Sequence, residues 1–180
     1  VQLDLIPGNS HSVWLDLIEQ RVDVAMVTNP EDDPRLRRIA INQTRLLVAV
    51  PKSHPWGHRS HVSLSELKDQ PLISREDGSN TQRFIEQVLN EQDWSFDRSL
   101  KVGSREMMKE AVASGLGIGF VMSGECGSDS RLQLLEVEDV SRSSIDYLLY
   151  LHSQTQRRVV SGLLNVVNEM ELEPVDLCAS

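Results

Sequence analysis

The chain has 180 residues, a formal net charge of −9, 39% apolar residues and only 4% aromatics. That length suits one domain or two small lobes on one chain, with a core built from Leu, Val, Ile and Met. The acidic balance excludes a duplex-binding surface, which needs clustered Lys and Arg to displace counterions from phosphates. The densest basic group, Arg35, Arg37 and Arg38, lies beside Asp32 and Asp33. Cys126 and Cys178 are too few for a metal site or a disulfide framework, and they read as reduced thiols of a cytoplasmic protein. The apolar runs are too short for a membrane span, no signal peptide is visible, and the start on Val1 without Met reads as a fragment.

Val1–Ile6 reads as a strand, and Pro7-Gly8-Asn9-Ser10 breaks it and supplies N-cap residues. Trp14, Leu15, Leu17 and Ile18 then set a helical stripe that ends near Arg21. Val22–Val27 is a strand continuous enough to be buried on both faces, followed by a loop through Asn29-Pro30 to Asp33-Pro34. Arg45–Val50 is the next strand, closed by Pro51, and the polar stretch from Lys52 to His61 reads as a crossover. Leu64–Leu67 is a short turn of helix capped by Ser63, and a strand follows at Leu72–Ser74.

A helix from about Thr81 to Gln92 turns Phe84, Ile85, Val88 and Leu89 inward. Leu100–Val102 is a strand, and Glu106–Ser114 a helix with Met107, Met108, Ala111 and Val112 facing in. Strands at Ile118–Met122, Leu132–Val137 and Asp146–His152 precede a closing helix from Gln156 to Met170. Alternating βαβ units predict an α/β architecture with parallel sheets. Two such groups, joined near 52–62 and again near 138–145, predict two lobes.

Gly115-Leu116-Gly117-Ile118-Gly119 is not a dinucleotide fingerprint, because its glycines follow a helix and precede a strand. Gly115 reads instead as a left-handed helix cap. His54, His58 and His61 would need a helix to form a metal face, and Pro55 and Gly57 oppose one. No G-x-S-x-G elbow occurs, and no carboxylate pair has a spacing that demands acid–base chemistry.

Three stretches share another feature. Gly8 to Ser12, Asp77 to Thr81 and Gly103 to Arg105 each follow a strand and open a helix, offering backbone N–H groups, hydroxyls and the positive end of a helix dipole. Open α/β sheets bind ligands at such strand ends. Thr28 ends its strand in the same way, and Arg75 supplies a two-pronged donor for an anion. Capping alone explains the three starts, whereas Arg75, Thr28 and His11 exceed what capping requires. These residues predict a small-anion site and no cofactor.

Four segments in order carry a resemblance: Arg21 to Val27, Leu47 to Trp56, Pro71 to Ser79, and Glu110 to Gly119. Together they resemble the effector-binding domain of LysR-type transcriptional regulators, over Val1 to about Met170. The resemblance implies a type II periplasmic-binding-protein-like fold, with two Rossmann-like lobes and an effector cleft between them. Lobe I would be 1–55 with 143–180 and lobe II 60–140, with crossing segments near 54–62 and 138–145. It further implies a cytoplasmic regulator, a dimer or tetramer whose missing N-terminal winged helix-turn-helix alone contacts DNA, with no membrane partner. The Ser12–Gln20 helix is a candidate for contact between copies.

By position the cleft would be lined by Asn9, Ser10, His11, Thr28, Ser79, Thr81 and Ser104, with Arg75 beside the second helix start. Val1–Ile6 resembles the family's second strand, so the first strand and helix of the domain are missing from the sequence, which leaves unpaired strand edges. Peroxide-sensing members carry a reactive Cys where Ser79 stands, which disfavours redox sensing. Gly8-Asn9-Ser10, Asp32 to Leu36 and Gly103 to Glu106 resemble regulators of aminoethylphosphonate catabolism, where Glu76 would hold the amine of the phosphonate. Two alternatives share the fold: a solute-binding protein serving a transporter, and an enzyme such as a deaminase or dehydratase. The second needs a buried general acid or base in the cleft, and the candidates here are hydroxyls and an Arg.

Overall fold

The structure, a computed structural model, describes residues 3–94, 98–125 and 127–170. Cys126 and Cys178 lie outside the described residues. Two compact units divide the chain, one of residues up to Gln43 together with those from Ser144, the other of Thr44–Ser143. The chain leaves the first unit inside a strand rather than at the expected 54–62 segment. Residues 52–58 are instead turns of the second unit, held by His54 N–H to Pro51 O (2.9 Å) and Gly57 N–H to His54 O (2.8 Å).

In the first unit, α1 (Ser10–Ile18) precedes β1 (Ala25–Thr28), and the chain then enters β2 (Leu36–Pro51). β8 (Ser143–Leu151) returns antiparallel to β1, matching Ala25 to Leu149 and Thr28 to Asp146, with β2 on its other side. Ala25, Val27 and Leu149 share one face of this sheet and pack on Leu17 of α1, with Val13 and Trp14 against them. α4 (Arg158–Glu169) closes the unit through Val160 and Val167.

The expected strand at Val1–Ile6 does not form over its described part: residues 3–9 have no strand assignment, and Leu5 is 92% exposed. A strand exists only by pairing its backbone groups with a neighbour. Among the described residues β1 ends the sheet and pairs with β8 alone. β1 itself begins at Ala25, three residues later than Val22.

The second unit is a sheet between two helices. Its order runs β3 (His61–Val62), β7 (Leu132–Val137), β2, β6 (Ile118–Met122), β4 (Leu72–Arg75), β5 (Arg98–Val102). Period-two alternation sorts its side chains between two cores. Val48, Val50, Leu72, Ile118 and Met122 meet Phe84, Ile85, Val88 and Leu89 of α2 (Asn80–Asn90) on one face. Ala49, Ile73, Val102 and Val121 meet Met108, Ala111 and Val112 of α3 (Arg105–Ala113) on the other. The sheet is mixed rather than parallel: β4 is parallel to β5 and β6, whereas β2 is antiparallel to β6 and β7. The reason is topological. β2 enters from the first unit, so it is not laid down by a βαβ crossover.

After α3 the chain turns on Gly115 (φ 75°), whose N–H reaches Val112 O (2.8 Å) while Leu116 N–H reaches Ala111 O (3.0 Å). This double closure satisfies the last helical carbonyls. Gly117 then passes the Pro71 carbonyl so closely that a Cβ would lie 2.4 Å from its oxygen.

Candidate functional site

Each of the three helix starts is closed by the residue the sequence points to. Asn9 caps α1, its Oδ1 accepting from Ser12 N–H (2.9 Å) while the Ser12 hydroxyl donates to Asn9 O (3.0 Å). Ser10 opens the helix, and the exposed His11 ring stacks toward Trp14 at 6.5 Å between centroids. Ser79 caps α2 by accepting from Gln82 N–H (3.3 Å), and Ser104 caps α3 by accepting from Met107 N–H (3.1 Å). Ser79 and Thr81 are both buried.

In the first unit, Thr28 donates its hydroxyl to Asp146 Oδ1 at 2.6 Å, across the β1–β8 register. The next residue, Asn29, takes a left-handed φ of 42°. Its amide donates to Ser144 Oγ (3.1 Å), its Oδ1 accepts from Ile145 N–H (2.8 Å), and its N–H donates to Ile145 O (2.9 Å). Asp146, Asn29 and Ser144 therefore belong to the surroundings of Thr28. Sequence reasoning missed them because their partners lie more than a hundred residues away along the chain.

The second unit gathers the charged groups. Arg75 ends β4, and its Nε and Nη2 reach Glu76 Oε2 (2.8 Å) and Oε1 (2.7 Å), a two-pronged pair with side chains 10% and 18% exposed. The Arg75 backbone N–H donates to Gln82 Oε1 (2.9 Å), and the Gln82 amide donates to Glu86 Oε1 (3.0 Å). Gln82 thus ties the strand end to the first turn of α2. Glu106, in the first turn of α3, accepts from its own backbone N–H. That bond, helped by the Ser104 hydroxyl and the charges of Arg105 and Arg75, outweighs the opposing desolvation and holds its carboxyl below the usual range.

Arg75, Ser79 and Thr81 are thus set together at the junction of β4 and α2, and the charge of Arg75 reaches Glu106 beside Ser104. The guanidinium fork is engaged by a carboxylate of the same chain, so an anion that takes it must exchange with Glu76. Gln82 and Glu106 were not legible as part of this group. The signal for both was only their place in the first turn of a capped helix. His54 accepts from Trp56 N–H (3.2 Å) and His61 stands 3.6 Å from Glu136. Among the described residues no group of three or more His, Cys, Asp or Glu is placed to hold a metal. No helix among them is long and apolar enough to cross a membrane.

Two α/β units, one split across the chain and one contiguous, give a type II periplasmic-binding-protein-like fold. The chain belongs to the LysR substrate binding domain family, whose model matches residues 1–171. It is 23% identical over 154 residues to the HTH-type transcriptional regulator CysL of Bacillus subtilis, covering 85% of this chain and 52% of that protein. It is 26% identical over 168 residues to the transcriptional activator CmpR of Synechocystis, covering 92% and 55%. The chain spans about half the length of these curated relatives.

Among solved structures, the regulatory domain of Synechocystis CcmR in complex with 2-PG aligns with a TM-score of 0.78 at 22% identity, over 88% of this chain and 78% of that one. The effector-binding domain of QuiR in complex with shikimate aligns with a TM-score of 0.78 at 18% identity, over 89% and 77%. At these identities the likeness is one of fold.

Proposed function

We propose that this chain is the effector-sensing domain of a LysR-type transcriptional regulator, and that its effector is a small anion held by Arg75 and the capped starts of α1, α2 and α3. The observation that carries the reading is Arg75. It is a nearly buried guanidinium at a strand end, beside a helix start whose hydroxyls and N–H groups suit an anionic group. Asn9, Ser10, His11 and Thr28 supply the contribution of the first unit, and Ser79, Thr81 and Ser104 that of the second.

The family match supports regulation rather than catalysis, and fold relatives seen with 2-PG, shikimate or benzoate support a small organic effector. The effector we favour is 2-aminoethylphosphonate: Arg75 takes the phosphonate and Glu76, released from Arg75, takes the amine. Effector binding shifts the population between open and closed arrangements of the two units. In the cytoplasm this biases DNA binding by a helix-turn-helix domain carried elsewhere in the regulator, which works as a dimer or tetramer. The competing reading, a solute-binding protein of a transporter, shares the fold but leaves the match to transcription regulators without a reason.

A thermal-shift titration against a panel of small phosphonates, carboxylates and sulfur-containing anions tests the proposal. A ligand at a hundredfold its dissociation constant stabilises the fold by about 2.7 kcal/mol, which raises the midpoint by roughly 5–10 °C in a chain of this size. A shift with 2-aminoethylphosphonate that is lost in Ser79→Ala and Arg75→Ala is the expected result. A shift only with another anion keeps the sensor and discards the phosphonate. A well-folded sample that no anion shifts overturns the site.

A further inference from the structure

The parallel strands β4, β5 and β6 end on one edge of the second unit's sheet, with Arg75 at the end of β4 in register with Val102, the last residue of β5. Arg105 opens α3 just beyond Val102, and Glu125 lies just beyond the end of β6. The two arginines at this edge differ in what they already hold. The Arg75 fork is engaged by Glu76 at 2.8 and 2.7 Å. Arg105 has no such partner: its Nη1 lies 3.9 Å from Glu125 Oε1, too far for a hydrogen bond. Its Nε is buried with no hydrogen-bond partner among the described residues. A buried donor left unpaired is rare in a folded protein and calls for a partner. The Arg105 side chain is 38% exposed, and it can turn to a ligand without breaking a hydrogen bond at Nε.

We propose that Arg105 is a second anion-binding residue of the site, sharing one tetrahedral acid group with Arg75, and that the effector is an amine-bearing phosphonate or phosphate ester rather than an amino carboxylate. The inference rests on the sensing function proposed for Arg75. A planar carboxylate offers two oxygens, which a single guanidinium fork satisfies. A phosphonate or phosphate ester presents three terminal oxygens on a tetrahedron and carries roughly two negative charges above neutral pH, so two guanidiniums can hold it at once. The charges along the edge account for the amine. Three carboxylates, Glu76, Glu106 and Glu125, stand beside the two guanidiniums, while Lys101 and Asp77 pair off at 2.8 Å. That surplus repels a bare dianion. A ligand that also carries an ammonium group brings a cation for the carboxylate that Arg75 releases.

Isothermal titration calorimetry of the 180-residue chain at pH 8 tests this with three probes. They are 2-aminoethylphosphonate, phosphoethanolamine, and β-alanine, which keeps the amine and its spacer but ends in a carboxylate. The parent is expected to bind one of the first two more tightly than β-alanine, and the tighter of them tells phosphonate from phosphate ester. Arg105→Gln is expected to weaken that ligand about ten- to a hundredfold, to leave β-alanine almost unchanged, and to melt with the parent when no ligand is present. Arg105→Lys, which keeps the charge and loses the fork, falls between them. If Arg75→Ala abolishes binding and Arg105→Gln does not weaken it, the inference falls while the Arg75 site stands. If Arg105→Gln weakens all three probes alike or lowers the melting point of the ligand-free chain, Arg105 supports α3 rather than the ligand, and the inference falls. A parent that prefers β-alanine, or binds none of the three, also overturns it, and the wider anion panel then decides alone whether the sensor survives.

Discussion

Gly117→Ala tests the account of how α3 is joined to β6. Gly117 has φ 157°, and a Cβ there would lie 2.4 Å from the Pro71 carbonyl oxygen and 3.1 Å from the Ile73 side chain. That oxygen cannot step aside, because it accepts from Ile118 N–H at 2.9 Å, and Ile73 is buried in the core under α3. The substitution therefore combines an unfavourable backbone conformation with overpacking, which costs about 1–3 kcal/mol by itself. The sum is about 3 kcal/mol or more. At about 2–4 °C per kcal/mol, the midpoint falls by roughly 6–12 °C in a thermal melt followed by circular dichroism.

Two companion variants separate the causes. Gly115→Ala meets nothing within 4 Å but sits at φ 75°, so it carries only the left-handed penalty of about 1–2 kcal/mol. Gly103→Ala also meets nothing within 4 Å and has no left-handed backbone, so it leaves the midpoint almost unchanged. The expected order of damage is Gly117, Gly115, Gly103. If Gly117→Ala melts with the parent, the close approach to Pro71 is refuted. If Gly115→Ala is as damaging as Gly117→Ala, the backbone and not the contact is decisive.

Acid unfolding exposes the surface ion pairs. Glu66 is lowered to about 2, chiefly by its hydrogen bonds from Arg59, and Asp129 to about 2, chiefly by those from Arg131. Folded values below the unfolded ones mean that each contributes stability in full above the ordinary carboxylate range and loses it as pH falls toward about 2. The midpoint gap between the parent and Arg131→Ala is thus expected to narrow steadily below pH 5, and melts that keep a constant gap down to pH 2 would falsify the pairing. Thr28→Val removes the hydroxyl that Asp146 accepts while keeping the side-chain shape. The expected cost is about 1.5–3 kcal/mol, read as a urea midpoint shift, and an unchanged midpoint would mean that Asp146 is satisfied without Thr28.

The second unit was the more legible half of the chain. Phe84, Ile85, Val88 and Leu89 mark α2 by spacing, and the caps at Asn9, Ser79 and Ser104 announce three helix starts. The first half of β2 was missed because Leu36-Arg37-Arg38-Ile39-Ala40-Ile41-Asn42 breaks the period-two alternation that marks a strand and follows directly on a Pro- and Asp-rich loop. Val1–Ile6 has the composition of a strand, yet pairing is not a property of one segment, and residues 3–9 show no strand. The same limit hid Asp146 and Ser144. Their hydrogen bonds to Thr28 and Asn29 span 118 and 115 positions, and no local pattern records them.

The split of the first unit also sets an order of events during synthesis. The second unit is one contiguous stretch, from Thr44 to Ser143, and can bury its two cores as soon as it has been made. β1 has no such freedom, because its partner β8 aligns Thr28 with Asp146, 118 positions later. At about 5–20 residues per second on the ribosome, that strand waits for roughly 6–24 s with both edges unpaired. For that interval the nascent chain presents Ala25–Thr28 as an open template. Chaperone demand and aggregation at elevated expression should therefore track translation speed across the second unit, not the stability of the finished protein.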